Sequence, residues 1–152
     1  MRPAEKKDAH AISRLVRKTH LNPMGLEWKH FIVALSPEET IIGIGQLRPH
    51  RDGSMELASI AVEQEWRGQS IARRIIEHLI TLQDGPLYLT CASPLENFYR
   101  PFGFETVAEP KDMPAYFRRV WQLFDLLSKV RKQRVRLLVM KKASWVSEED
   151  KS

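Results

Sequence analysis

The chain has 152 residues, 43% of them apolar and 28% charged, and carries a net charge of +5. That size and balance suit one globular domain with its own core and exclude a disordered or collagen-like chain. No apolar run approaches the roughly 18 residues of a membrane span, the opening MRPAEKKDAH lacks the apolar core of a secretory signal, and the single cysteine, Cys91, makes no internal disulfide and joins no zinc-type spacing. A reducing cytoplasm is therefore the expected compartment, and no metal is expected.

In chain order, Asp8 to Thr19 is predicted helical, with Ala11, Ile12, Leu15 and Val16 at helical spacing. Asn22-Pro23 and Gly25 break the chain up to Lys29. Phe31 to Leu35 is a short apolar strand, Thr40 to Leu47 a second one loosened by Gly43 and Gly45, and Met55 to Val62 a third, beyond a hairpin signal at Asp52-Gly53. A helix runs from Gln69-Ser70 to Leu82, with Ile71, Ile75, Ile76, Leu79 and Ile80 inward. Leu87 to Cys91 is a buried strand, Leu95 to Arg100 a short helix stopped by Pro101 and Gly103, and Phe104 to Val107 another strand. Pro114 opens a helix to about Lys129 with an apolar stripe of Phe117, Val120, Trp121 and Phe124. Arg134 to Lys141 is the last strand, and 143–152 a polar, disordered tail. These elements give an α/β (α+β) fold, helices flanking a mixed and mostly antiparallel central sheet, as a single domain over 1–142.

The charge has a location. Residues 111–142 hold ten Lys and Arg against two Asp and Glu, whereas 1–110 are nearly balanced. A segment of that kind is either a solvated face or a site for anions: an anionic substrate, cofactor phosphates or nucleic acid.

The chemistry is concentrated where the third strand meets its helix. Strand Leu57 to Val62 runs through a short polar turn holding Arg67 and Gly68 into the helix from Ser70. Such a turn aims free backbone N–H groups at one spot, at the positive end of the helix dipole, and Arg67, Arg73 and Arg74 add charge. It is an anion site suited to a pyrophosphate, or else a plain tight connection.

Arg67-Gly68-Gln69-Ser70-Ile71-Ala72, following Ile60-Ala61-Val62, resembles motif A of the GNAT superfamily of N-acetyltransferases, Arg/Gln-x-x-Gly-x-Gly/Ala. Phe98-Tyr99-Arg100-Pro101-Phe102-Gly103-Phe104 resembles its motif B, Tyr-x-x-x-Gly-Phe. Helix and strand lie between them in the order the family has, so the resemblance spans Asp8 to Lys141. Two positions depart from it: Ser70 stands where the family has Gly, and Ala92 where it often has Asn, with Asn97 nearby.

The resemblance implies acetyl-CoA as donor and a primary amine as acceptor, joined by direct attack without a covalent enzyme intermediate. It places the pyrophosphate on Arg67, Gly68, Gln69, Ser70, Ile71 and Ala72. It places the pantetheine arm along Ile60-Ala61-Val62, with the Ile60 N–H polarising the thioester carbonyl, and a further cofactor contact at Asn97. It makes Tyr99 the acid for the leaving thiolate. Glu56, eleven residues before Arg67 and on the strand face of Ala58 and Ile60 by alternation, is the candidate base; the alternative is a solvated hairpin carboxylate. Glu63 is a second candidate.

Trp28 is a candidate acceptor contact or a core residue. Glu109 to Lys132 is similar to the connection in amino-acid N-acetyltransferases, including the N-acetylglutamate synthase type. That suits a small carboxylate-bearing amine held by Arg118, Arg119 or Arg134. Cys91 is expected in the core, and His10, His20, His30, His50 and His78 show no ligand spacing. A homodimer is compatible with the chain, and no membrane partner is expected. Two rival readings are a non-catalytic, CoA-binding regulatory module and a nucleic-acid-binding domain using 111–142; the latter lacks interleaved aromatics for base stacking.

Overall fold

The computed structural model describes residues 1–131 and 135–144, which form two compact units, 1–48 with 57–82 and 49–56 with 83–144. Lys132, Arg134, Trp145 and most of the polar tail lie outside the described residues.

In the first unit, β1 (Arg2–Pro3), β2 (Phe31–Leu35), β3 (Ile41–Pro49) and β4 (Met55–Val62) follow one another across the sheet. β2 and β4 have the predicted bounds, and β1 is an unpredicted strand that pairs antiparallel with β2, Arg2 opposite Val33. Its place is secured by Arg2, whose guanidinium meets the buried Asp8 carboxylate at 2.7 Å. Helix α1 (Ala9–Lys18) sends Ile12, Leu15 and Val16 into a cluster with Phe31, Val33, Ile44 and Ala61. Helix α2 (Ile71–Thr81) packs on the other face of β3, and here the two glycines have a definite use. A Cβ on Gly45 would sit 2.6 Å from Ile75 Cγ2, and one on Gly43 2.9 Å from Ile75 Cδ1. The glycines admit the helix to the sheet rather than loosen the strand.

In the second unit, β5 (Leu87–Ala92), β7 (Leu137–Lys142) and β6 (Glu105–Thr106) are antiparallel neighbours, Leu89 opposite Met140 and Glu105 opposite Lys141. Glu56, the second residue of β4, pairs with Tyr88 in parallel register. The fold is thus mixed α/β with mostly antiparallel pairing. After the short α3 (Glu96–Tyr99), α4 (Ala115–Arg131) sends Phe117 into a cluster with Tyr88, Met113 and Val139. Pro114 stands just ahead of α4, its carbonyl accepting the Arg118 N–H at 2.9 Å. Among the described residues no helix is long and apolar enough to cross a membrane.

The predicted hairpin closes over His50–Gly53: the His50 N–H donates to the Ser54 carbonyl at 2.9 Å, and Gly53 takes the left-handed conformation, φ +88°. Asp52 organises more than its own turn. Its Oδ1 accepts from the Ser54 N–H and hydroxyl, and its Oδ2 accepts the Tyr116 N–H at 2.9 Å, in the first turn of α4. A carboxylate there satisfies an orphan donor and complements the helix dipole. Burial opposes its ionisation, but the Ser54 hydroxyl, the two backbone N–H groups and nearby His50 outweigh it and lower its pKa from 3.8 to about 2.

A carboxyl whose pKa falls on folding contributes stability above its unfolded value and loses it as pH falls through the folded one. Stability is expected to decline as pH drops from about 4 to about 2, and Asp52→Asn to lower stability at neutral pH while flattening that decline. Urea unfolding followed at several pH values checks this; an unchanged slope contradicts the role given to Asp52.

Candidate active site

The predicted anion loop is formed by Arg67 to Ser70, between a single helical turn at Gln64–Trp66 and α2. Two of its residues have left-handed backbone: Gly68 at φ +81° and Ser70 at φ +62°. At Gly68 a Cβ would meet nothing within 4 Å, so the backbone there is open to approach. Ser70 stands where motif A has Gly, and an L residue bears a steric cost in this left-handed region. The serine hydroxyl makes no capping bond to α2, which leaves the cap expected of it unmade. The Arg74 N–H is bound to the Ser70 carbonyl at 3.1 Å, so the N–H groups of Ile71, Ala72 and Arg73 precede the helix's own ladder. Arg67 folds back, its Nε–H donating to the Val62 carbonyl at 3.3 Å, which ties the loop to the end of β4. Gln69, Ile71 and Arg74 line, with Trp66 and Leu35, a recess of about 340 Å³.

Within β4 the alternation is interrupted. Ser59 is left-handed, φ +57°, and its hydroxyl accepts from the Nε2 of the fully buried Gln46 at 2.8 Å. Glu56 and Ala58 keep the pleat, but it breaks before Ile60. The strand-face argument linking Ile60 to Glu56 therefore does not hold.

Glu56 is not a solvated hairpin carboxylate. It is 6% exposed, and its Oε1 lies 2.8 Å from His50 Nε2. The two side chains are joined by a hydrogen bond between His50 Nε2 and Glu56 Oε1. The His50 ring stacks on Tyr116, centroids 3.6 Å apart and planes at 18°, and meets Phe117 edge-on. His50, set aside for want of ligand spacing, is the residue that sequence reasoning missed. The available signal was a His and a Glu on opposite arms of an Asp-Gly hairpin. Glu63, the other candidate base, is committed to Lys18 at 2.8 Å.

Tyr99 lies on α3, half-buried, edge-on to Phe98 and Phe104. Burial, with a smaller contribution from Cys91, pushes its phenol up to about 12. Cys91 is buried on β5, its Sγ 3.8 Å from Met140 Sδ, and burial raises its pKa to about 11, as befits a core thiol. Asn97 is exposed on α3. Trp28 packs, partly buried, against the first unit's apolar cluster. Arg118, expected at a substrate carboxylate, spends two N–H groups on the carbonyls of Pro110 (3.1 Å) and Met113 (3.0 Å), pinning the turn ahead of α4.

Replacing the strained serine tests the loop directly. Ser70→Gly is expected to stabilise the protein by about 1 kcal/mol in urea unfolding with no change in slope, the relief of left-handed strain exceeding the added unfolded-state freedom. A loss of stability would mean that the serine side chain supports the loop.

Comparison with known proteins bears on this arrangement. The acetyltransferase (GNAT) domain family matches residues 27–106, more than half of the chain and including both motifs. No curated protein matches. Among solved structures, the chain is similar to N-acetylglutamate synthase from Neisseria gonorrhoeae in complex with coenzyme A and N-acetyl-glutamate, with 17% identity and TM-score 0.71 over 95% of this chain and 35% of that one. The chain thus spans about a third of the Neisseria protein. Rv2747 from Mycobacterium tuberculosis, in complex with CoA and NLQ, is similar with 20% identity and TM-score 0.70, over 93% and 97% of the two chains. The ribosomal-protein-S18-alanine N-acetyltransferase from Escherichia coli follows with 16% identity and TM-score 0.64, over 95% and 93%. At these identities the likeness to solved structures is one of fold, and with the family match over residues 27–106 the chain belongs to the GNAT acetyltransferase family.

Proposed function

We propose that the protein is an acetyl-CoA-dependent N-acetyltransferase acting on a primary amine by direct attack. The observation that carries this is the loop from Arg67 to Ala72, with open backbone at Gly68 and free N–H groups at the start of α2. Backbone donors at a helix N-terminus suit a pyrophosphate, and both the Neisseria and the Mycobacterium structures hold coenzyme A.

When bound, acetyl-CoA supplies an acetyl thioester. The chain's part is to hold it, to polarise its carbonyl and to manage two protons. Arg67, Gly68, Gln69, Ser70, Ile71 and Ala72 hold the phosphates. Ile60, Ala61 and Val62 offer backbone to the pantetheine arm, the Ile60 N–H donating where negative charge develops. Asn97 is a further contact.

Glu56 removes the ammonium proton of the acceptor, whose unperturbed pKa is roughly 10.4 for a lysine-type amine, and His50 fixes the carboxylate's orientation. With a pKa near 12, Tyr99 is protonated throughout the neutral range. A CoA thiolate is a weaker base than that phenolate, since thiols have pKa values of roughly 8.5. Tyr99 therefore stabilises the thiolate by donating a hydrogen bond rather than by surrendering its proton outright, and the second amine proton, released from nitrogen as the C–S bond breaks, goes to the sulfur to give the free thiol.

The acceptor class is a small amine bearing a carboxylate. Support comes from the basic stretch 111–142 and from the N-acetyl-glutamate in the Neisseria complex. With Arg118 engaged in its turn, the exposed Arg119 is the remaining described cation offered for that carboxylate. Trp28 is a lesser acceptor contact.

The test is a thiol-release assay over amines, beginning with free amino acids. Tyr99→Phe is expected to lower kcat about 10²-fold with the acetyl-CoA KM little changed, and Glu56→Gln to lower kcat by a similar factor. Wild-type turnover with unaffected variants overturns these roles. Acetyl-CoA binding without turnover on any amine favours a regulatory CoA-binding module.

A further inference from the structure

Helix α4 is apolar on two opposite sides. Its inner side is Phe117, fully buried, with Trp121 packed on the Tyr88–Met113–Val139 cluster. Its outer side is Leu123, Leu126, Leu127 and Val130, which are 60%, 62%, 46% and 76% exposed. Their spacing, i, i+3, i+4, i+7, sets them in one continuous stripe. Helices that are apolar all round are ordinarily buried, and a contiguous apolar patch on a soluble surface marks a contact with something else.

The form of the stripe indicates the kind of partner. It is narrow and follows the a, d, e, a positions of a heptad, the seam on which a second helix packs. An interfacial lipid helix instead carries a broad apolar face with aromatic residues, and this seam has none. The charges narrow the choice further. Arg119 lies on the line of the stripe one turn before Leu123, and Arg131 borders its other end, both exposed. The helix's acid, Asp125, is paired with Lys129 at 3.3 Å. A second copy of α4 fits poorly. Laid parallel, it sets Arg119 on Arg119 and Arg131 on Arg131. Laid antiparallel, it brings Arg119 to the basic end that follows Ser128. Like charges juxtaposed in this way act against self-pairing.

We propose that the outer seam of α4 is a docking site for an acidic amphipathic helix of another protein, with aliphatic residues at seam spacing and carboxylates at its flanks. The four apolar residues of the seam take no part in the acetyl transfer proposed above, so the proposal stands whether or not that assignment does; Arg119, at the border, is the residue offered to both.

The probe is a synthetic helical peptide with Leu at a and d and Glu at the flanking positions, titrated into the full chain by fluorescence anisotropy. A control peptide carries Lys in place of Glu. The expected result is saturable binding of the acidic peptide, weakened by salt and by at least about tenfold in Leu126→Glu, with Tm unchanged. Leu82→Glu, an exposed apolar residue of the first unit, should bind as wild type. The proposal is overturned by no binding, by equal binding of the Lys peptide, or by indifference to Leu126→Glu. It is also overturned by a dimer in sedimentation that Leu126→Glu abolishes, which gives the seam to a second copy. Adsorption to phosphatidylglycerol vesicles without peptide binding gives it to lipid. Peptide binding that appears only after removal of 145–152 gives it to the chain's own acidic end.

Discussion

A carboxylate at 6% exposure has to be paired, and the pairing of Glu56 with His50 organises its surroundings. The imidazole must reach back across the hairpin, which fixes the turn at His50–Gly53. It then needs cover, supplied by stacking on Tyr116 and by the edge of Phe117. Those two residues begin α4, and α4 is held at that end by Asp52 of the same hairpin. A four-residue turn thus sets the place of an ionisable side chain and the start of a 17-residue helix together. If Glu56 is a base, its orientation is built into the fold rather than left to substrate binding.

The first unit faces a different constraint, that of backbone. Gly43 and Gly45 let α2 lie against β3, and the connection from β4 to α2 must then turn sharply, through left-handed residues at 68 and 70. Glycine would relieve the second of these, and this chain has a serine there. The strain is local, and the side chain makes no bond to the helix in return. Strain of that sort is tolerated where surrounding packing over-determines the conformation, and the buried face of α2 does so through Ile75, Ile76, Leu79 and Ile80. A loop that must keep its N–H groups unpaired for a ligand is a natural place for it.

Much of this was legible in the sequence. β2 and β4 could be bounded because each is an apolar run between turn signals, and α2 because four isoleucines and a leucine recur at helical spacing. The motifs around Arg67 and Tyr99 gave the family. What escaped was whatever depends on pairing rather than on pattern. β1 has two residues and is a strand only through Val33 and Ile32. The left-handed Ser59 breaks the alternation that carries face assignments, and nothing in Ala58-Ser59-Ile60 marks it. His50 is unremarkable until its partner across the hairpin is seen. The basic residues of 111–142 could be read as a solvated face or as an anion site, and the pattern did not show that Arg118 serves its own turn and Lys129 pairs with Asp125.

The central claim is that the loop between β4 and α2 takes the phosphates of acetyl-CoA in spite of Ser70. Calorimetric titration of the purified protein with acetyl-CoA, and with CoA beside it, tests this most directly. The account predicts one site per chain with a Kd in the micromolar range for both, about −8 kcal/mol. No heat up to millimolar acetyl-CoA or CoA would contradict it, leaving a GNAT fold that does not use this donor.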